Sequence, residues 1–373
     1  MKNFFNPAVK LLAPVFLGLV VFSCGKGCET VYFTVDVNTS LPGDTVAHLE
    51  SSPGVLMAPP EAMDAQSTPP RLVICFNSGG CKFEPGHTEI ENSIQAKYLV
   101  SKGYAVMCMT GLPEHYSRRL KIDRARTAGS HVIHRACLAG YDYVLSKYNV
   151  RHDGCYLLSV STGGLAALNI LNLSDIPVLA AAGINPLTST AENAWHVPSG
   201  SSSGGEFDSL QYRSNIIRIF GMKDAATLSE LENARYEKDK VGIYDPYDYC
   251  LNRSDKPLRA PYLVFSHTDD KVVRRGIIDT LACVMNARRE GSVLVSDVQE
   301  YGHGIDCPQE FQGVLLFDGH VHRINLTTRL IFMFFEKYRY GGARAVRGRA
   351  LPAAYFSEHA GDVLGRVPGG GKP

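Results

Sequence analysis

The amino-acid sequence predicts an α/β protein built on a doubly wound, mostly parallel sheet. Three observations carry that expectation. Short apolar runs recur through the middle of the chain, and most are continuous rather than alternating, as strands buried on both faces are. Apolar stripes of helical period separate several of them. The alternation of the two is the pattern of a sheet covered by helices on both sides. With 373 residues, 45% hydrophobic and 20% charged, the chain has material for a sizeable core. A formal net charge of +1 gives no reason to expect nucleic acid or an acidic polymer as partner.

The first residues read as an export signal. Lys2 and Lys10 make a positive start, and residues 11–22 form a short apolar stretch ahead of Ser23 and Cys24. A membrane-spanning helix needs about 20 apolar residues, and this run is shorter and contains Pro14. Val21-Phe22-Ser23-Cys24 resembles a bacterial lipobox. That resemblance implies removal of residues 1–23, lipid attachment at Cys24, and a membrane-anchored position in the cell envelope.

Residues 30–37 (TVYFTVDV) alternate and predict an edge or antiparallel strand. Residues 51–70 are rich in Pro, Ser and Gly and read as connection. Strands are expected at 71–77, 104–109, 155–160, 178–184, 262–267 and 293–301. Helices are expected at 130–148, at 277–291 with Gly291 as C-cap, and at 325–338, the last apolar enough to pack on the sheet. Residues 188–255 separate two strands by far more than an ordinary loop and read as an inserted lid. The main domain is therefore 24–340. The tail 341–373, rich in Gly, Ala, Arg and Pro, is expected to be disordered.

The chain has 10 cysteines, so an odd number remains once Cys24 is set aside. Cys75, Cys108 and Cys155 lie in apolar runs and read as buried thiols. Cys28, Cys81, Cys250 and Cys307 fall in expected loops, where some pairing after export is open.

Residues 159–163, SVSTG, break an apolar strand with small residues before a helical stripe resumes. A sharp strand-to-helix turn of that kind presents one side chain, here Ser161. A serine hydroxyl needs an adjacent base and an acid to orient that base. The strand in APYLVFSHTDDKVV ends in an acidic loop, where Asp270 or its neighbour Asp269 could supply the acid. The run VQEYGHGID places His303 between two glycines and supplies the candidate base. His320 and His322 compete with it. They could form a weak metal-like pair but have no evident further ligands, and read as loop histidines. His131 and His134 read as surface or helix-packing residues. A tetrahedral oxyanion needs preorganised N–H donors. Asn77-Ser78-Gly79-Gly80, after a strand, offers Ser78 or Gly79, and Thr162 follows the nucleophile.

In this order the motifs resemble the α/β-hydrolase superfamily of serine hydrolases. SVSTG matches its G-x-S-x-G elbow with Ser159 at the first glycine. The acid stretch matches P-x-L-x-x-x-G-x-x-D-x-x-V with His267 at the glycine. NSGG stands for the H-G-G-G-type loop. The stretch YDPYDYC before the acid strand is similar to the prolyl-oligopeptidase and dienelactone-hydrolase-like branches. The resemblance implies a mostly parallel sheet with an antiparallel start, a lid near 188–255 and a site at the C-terminal strand edge. It further implies a Ser161–His303–Asp270 triad, an oxyanion hole from Ser78, Gly79 and Thr162, and no metal or cofactor. The activity expected from it is hydrolysis of small-molecule or glycan-linked carboxylic esters. Serine peptidase activity, or ligand binding without turnover, are the alternatives.

Overall fold

The computed structural model describes residues 21–23, 27–41, 44–76, 84–190, 209–220, 244–270, 272–298 and 312–339. Its centre is an eight-stranded sheet in the order β2-β3-β5-β4-β6-β7-β8-β9. These strands are β2 (Glu29–Asn38), β3 (Leu49–Ala58), β4 (Leu72–Phe76), β5 (Ala105–Met109), β6 (Cys155–Val160), β7 (Val178–Ile184), β8 (Tyr262–His267) and β9 (Val293–Val298). The pairs β2–β3 and β3–β5 are antiparallel, and every pair from β5 to β9 is parallel. This is the expected parallel sheet with its antiparallel start. Parallel neighbours put all their C-terminal ends on one edge, and that edge receives the loops after β4, β6, β7, β8 and β9.

Continuous apolar runs follow from burial on both faces. Along β4, Leu72, Ile74 and Phe76 enter one core cluster while Val73 and Cys75 enter the other. The first cluster is closed by helices His131–Lys147, Gly163–Leu173 and Arg275–Arg288. The second is closed by Ile94–Ser101 and Leu326–Lys337. Phe335 stacks on Tyr156 with ring centroids 4.6 Å apart, which fixes the C-terminal helix against the central strand. Each such fully buried side chain contributes about 1.5–3 kcal/mol through removal from water.

Three elements differ from the sequence expectation. Residues 49–58, expected to be mostly connection, form strand β3. Pro53 sits where its missing N–H is tolerated, and its carbonyl accepts from Thr110 N–H at 3.0 Å. Gly54 makes room for the Phe33 ring, since a Cβ there would lie 2.5 Å from Phe33 Cζ. His320 and His322 lie on a strand rather than in a loop. Gly313–Phe317 (β10) and His320–Ile324 (β11) form a hairpin across Asp318-Gly319, both with positive φ. A short strand β1 (Val21–Ser23) pairs with β10 in parallel, giving a second, three-stranded sheet.

Gly291 has φ +74° but lies two residues beyond the C-cap of Arg275–Arg288, which is Arg289. Cys250 is not in a loop but in a π-helical turn, Tyr249–Arg253. It is a free thiol, buried, accepts from Asn172 Nδ2 at 3.3 Å, and burial pushes it up to about 11. Cys75, Cys108 and Cys155 are buried as expected. Most of the 188–255 insertion, the tail 341–373, Cys24, Cys81 and Cys307 lie outside the described residues. No described helix is long and apolar enough to cross a membrane.

Candidate active site

The site begins where β6 ends. Val160 is the last strand residue, paired with Ile184 of β7. Ser161 then adopts φ +48°, and Thr162 returns to right-handed helical angles at the start of Gly163–Leu173. A non-glycine residue in the left-handed region costs roughly 1–3 kcal/mol and persists only where its surroundings determine it. Here they do. Ser161 N–H donates to Ile184 O at 3.0 Å, and Ser161 O accepts from Gly164 N at 2.9 Å and Leu187 N at 2.8 Å. The turn is therefore stitched both to its own helix and to the segment leaving β7.

Close packing explains a glycine beyond the turn. A Cβ on Gly164 would stand 2.5 Å from Pro186 Cβ and 2.6 Å from Leu187 O. Ser159, where the motif has glycine, fits because its hydroxyl is used. Its Oγ lies 3.3 Å from Ala182 O and 3.2 Å from the Tyr262 hydroxyl.

The Thr162 N–H has no hydrogen-bond partner among the described residues. It opens a helix of 11 residues, whose N-terminal end carries partial positive charge. A donor so placed beside Ser161 is available to an oxygen that gains negative charge. The other expected donors, Ser78 and Gly79, lie outside the described residues, but β4, which leads to them, is described. Phe76 at its end pairs with Ser159, so the chain leaves β4 at the level of the elbow.

The acid emerges two strands away. β8 ends at His267, which is buried, and Asp269 is exposed while Asp270 is half-buried. Asp270 Oδ1 accepts from Val272 N at 2.7 Å and Val273 N at 2.9 Å. Two backbone donors thus fix the orientation of its carboxylate. Val298, the last residue of β9, pairs with His267. His303 follows five positions later and lies outside the described residues.

The structure brings Ser161, Thr162 and the chain ends leading to Ser78, Gly79, Asp270 and His303 to one edge of one sheet. His131 and His134 do not belong there. Both are buried on the helix His131–Lys147, beside Tyr244, and helix packing is the reading that holds. Burial, with Arg135 adding to it, pushes each imidazole down to about 4. His320 and His322 belong to the separate small sheet. Among the described residues no group of three His, Cys, Asp or Glu side chains could hold a metal ion. Sequence reading passed over Asn185 and Tyr262. The Asn-Pro pair that closes β7 was the available signal for the first; a tyrosine inside an apolar strand gives none.

No protein-family model matches this chain, and no curated protein matches its sequence. Solved structures do match its shape. An acylaminoacyl peptidase from Pyrococcus horikoshii superposes with a TM-score of 0.55 at 15% identity, over 84% of this chain and 42% of its own. A putative dipeptidyl aminopeptidase IV from Bacteroides ovatus gives 0.52 at 12%, over 83% and 36%. Lipase A of Candida antarctica, in its closed state, gives 0.50 at 11%, over 74% and 73%.

The chain has the α/β-hydrolase fold. It spans less than half the length of either peptidase.

Proposed function

We propose that the chain is a serine hydrolase that works through a covalent acyl-enzyme. The observation that carries this reading is Ser161 itself. It is held at φ +48° between a central parallel strand and a helix, beside an amide without a partner among the described residues. A serine in that conformation is strained, and a strained residue at a sheet edge is where catalytic groups cluster.

In this mechanism Ser161 Oγ attacks the acyl carbonyl while His303 takes its proton. Asp270, oriented by the Val272 and Val273 amides, holds the imidazole in the required tautomer and stabilises its charged form. The carbonyl oxygen becomes an oxyanion facing the Thr162 N–H and a second donor from Ser78 or Gly79. The tetrahedral centre collapses, the leaving group departs with the proton from His303, and Ser161 is left acylated. Water, deprotonated by His303, then adds to the acyl carbon; the bond to Ser161 Oγ breaks, Oγ takes the proton back from His303, and the acid is released.

The family resemblance, rather than any residue, favoured carboxylic esters as substrates. Two of the neighbours named above are peptidases and one is a lipase, and this weighs toward the peptidase alternative. The finer reading is therefore cleavage of acylated or short peptides, with esters second. Purified protein is assayed with acyl-aminoacyl and aminoacyl nitroanilides beside short nitrophenyl esters. Amide turnover supports the peptidase reading, and turnover of esters alone returns the carboxylesterase. Failure of every activated substrate to give an acyl burst supports a non-catalytic binding protein. We further infer, from the signal-like and lipobox-like start, export and lipid attachment at Cys24. Incorporation of labelled fatty acid in the expressing bacterium, lost in Cys24→Ala, tests that reading.

A further inference from the structure

We propose that Asn185 is a positioning residue that sets the acid-bearing loop relative to the nucleophile. The proposal rests on the serine-hydrolase reading given above. Asn185 is the first residue after β7, is buried, and has φ +42°. The ladder between β7 and β8 ends at Ile184 paired with Phe265, while β8 continues to His267 against β9. Past Ile184, β8 has no strand on its β7 side.

Asn185 fills that gap. Its backbone N–H donates to Phe265 O at 2.8 Å, and its side-chain Oδ1 accepts from His267 N–H at 2.8 Å. The side chain thus replaces a missing rung of the sheet. The peptide unit joining Ile184 to Asn185 also holds the elbow, because Ile184 O accepts from Ser161 N–H. On the other side, His267 O accepts from Asp270 N–H at 3.3 Å. One residue therefore sits between both catalytic loops: a peptide bond to Ser161 on one hand, a side-chain hydrogen bond toward Asp270 on the other.

The residue type follows from this double duty. A left-handed backbone favours glycine or asparagine. Glycine satisfies the backbone but has no acceptor for His267 N–H. Asparagine satisfies both. Asn185→Gly therefore removes the acceptor without introducing backbone strain, and Asn185→Asp keeps an Oδ1 acceptor at the same position.

The test measures the rate of covalent labelling by a fluorophosphonate probe, together with kcat and KM on an activated nitrophenyl ester. It uses the full chain as wild type, Asn185→Gly and Asn185→Asp, with unfolding midpoints as a control for folding. The expected result is a loss of about tenfold to a hundredfold in labelling rate and kcat for Asn185→Gly, the scale for misplacing a reacting group by an ångström. KM stays close to wild type, and Asn185→Asp recovers most of the loss. A merely structural role would lower the unfolding midpoint without separating kcat from KM. Wild-type labelling and kcat in folded Asn185→Gly overturn the proposal, as does equal impairment of both variants. Absence of labelling in the wild type is a different failure: it removes the serine-hydrolase reading and this proposal with it.

Discussion

The hydroxyl oxygens of Ser159 and Tyr262 lie 3.2 Å apart, two residues below the turn that carries Ser161. β7 runs between them, and at that level its residue is Gly183, the register partner of Ser159. A Cβ on Gly183 would stand 2.3 Å from the Tyr262 hydroxyl. The small residue that the elbow motif has at 159 is in effect found one strand over. Ser159 Oγ–H is directed to Ala182 O at 3.3 Å, which leaves the Tyr262 hydroxyl as donor to Ser159.

Replacing Ser159 by glycine restores the common motif yet leaves the Tyr262 hydroxyl in the core without that acceptor. The expected cost is about 1–3 kcal/mol. Tyr262→Phe costs about 1 kcal/mol, and the double substitution costs less than the sum, because no hydroxyl is then stranded. Chemical denaturation of the four proteins measures the coupling. Strictly additive losses would show that the two hydroxyls do not depend on each other.

Gly164→Ala forces a methyl group against Pro186 and the Leu187 carbonyl. Backbone on both sides leaves little freedom to yield, so a loss of about 1–3 kcal/mol is expected from overpacking. The same contact holds Leu187 N–H on Ser161 O, so reactivity of Ser161 should fall with stability. An unchanged unfolding midpoint would contradict this packing.

The two aspartates after β8 are predicted to separate cleanly. Asp270→Asn keeps the side-chain oxygen that Val272 and Val273 address but removes the charge that the imidazole requires, and kcat should fall by roughly 10⁴-fold. Asp269 is exposed, and Asp269→Asn should leave kcat near wild type. Steady-state assays of the two variants decide between them. The reverse ranking would move the acid to Asp269.

Acid should destabilise the fold through His131 and His134. Each is held at about 4 in the folded chain against 6.5 when unfolded, first by burial and then by Arg135. The unfolded chain therefore binds more protons between those values. Stability from this source is complete above about pH 6.5 and is lost as pH falls toward 4, by on the order of 3 kcal/mol per histidine. Urea midpoints across that window measure the loss, and His134→Gln should reduce its slope. A slope unchanged by that substitution would place the acid sensitivity elsewhere.

Where one physical signal dominated, the sequence could be read. Cys155–Val160, Val178–Ile184 and Tyr262–His267 are strands with the expected bounds, because burial on both faces leaves continuous apolar runs. Ser161 was legible because few reasons exist to end such a run in small residues. β3 was hidden by Pro53 and Gly54, which normally break strands; the first is tolerated at its place in the ladder and the second makes room for Phe33. Asp318-Gly319 signals the β10–β11 hairpin, but His320-Val321-His322 is too polar to read as a strand on its own. Asn185 was only partly legible: the Asn-Pro pair marks the end of β7, but the role depends on where the β7–β8 ladder stops, a relation between strands that no single stretch of sequence states.

The most direct measurement is covalent labelling by a fluorophosphonate probe, with the modified residue mapped by peptide mass spectrometry in the wild type and in Ser161→Ala. A single adduct on Ser161, absent from a folded Ser161→Ala protein, is the predicted result. An adduct that persists in Ser161→Ala, or a wild type that takes up no probe, would contradict it.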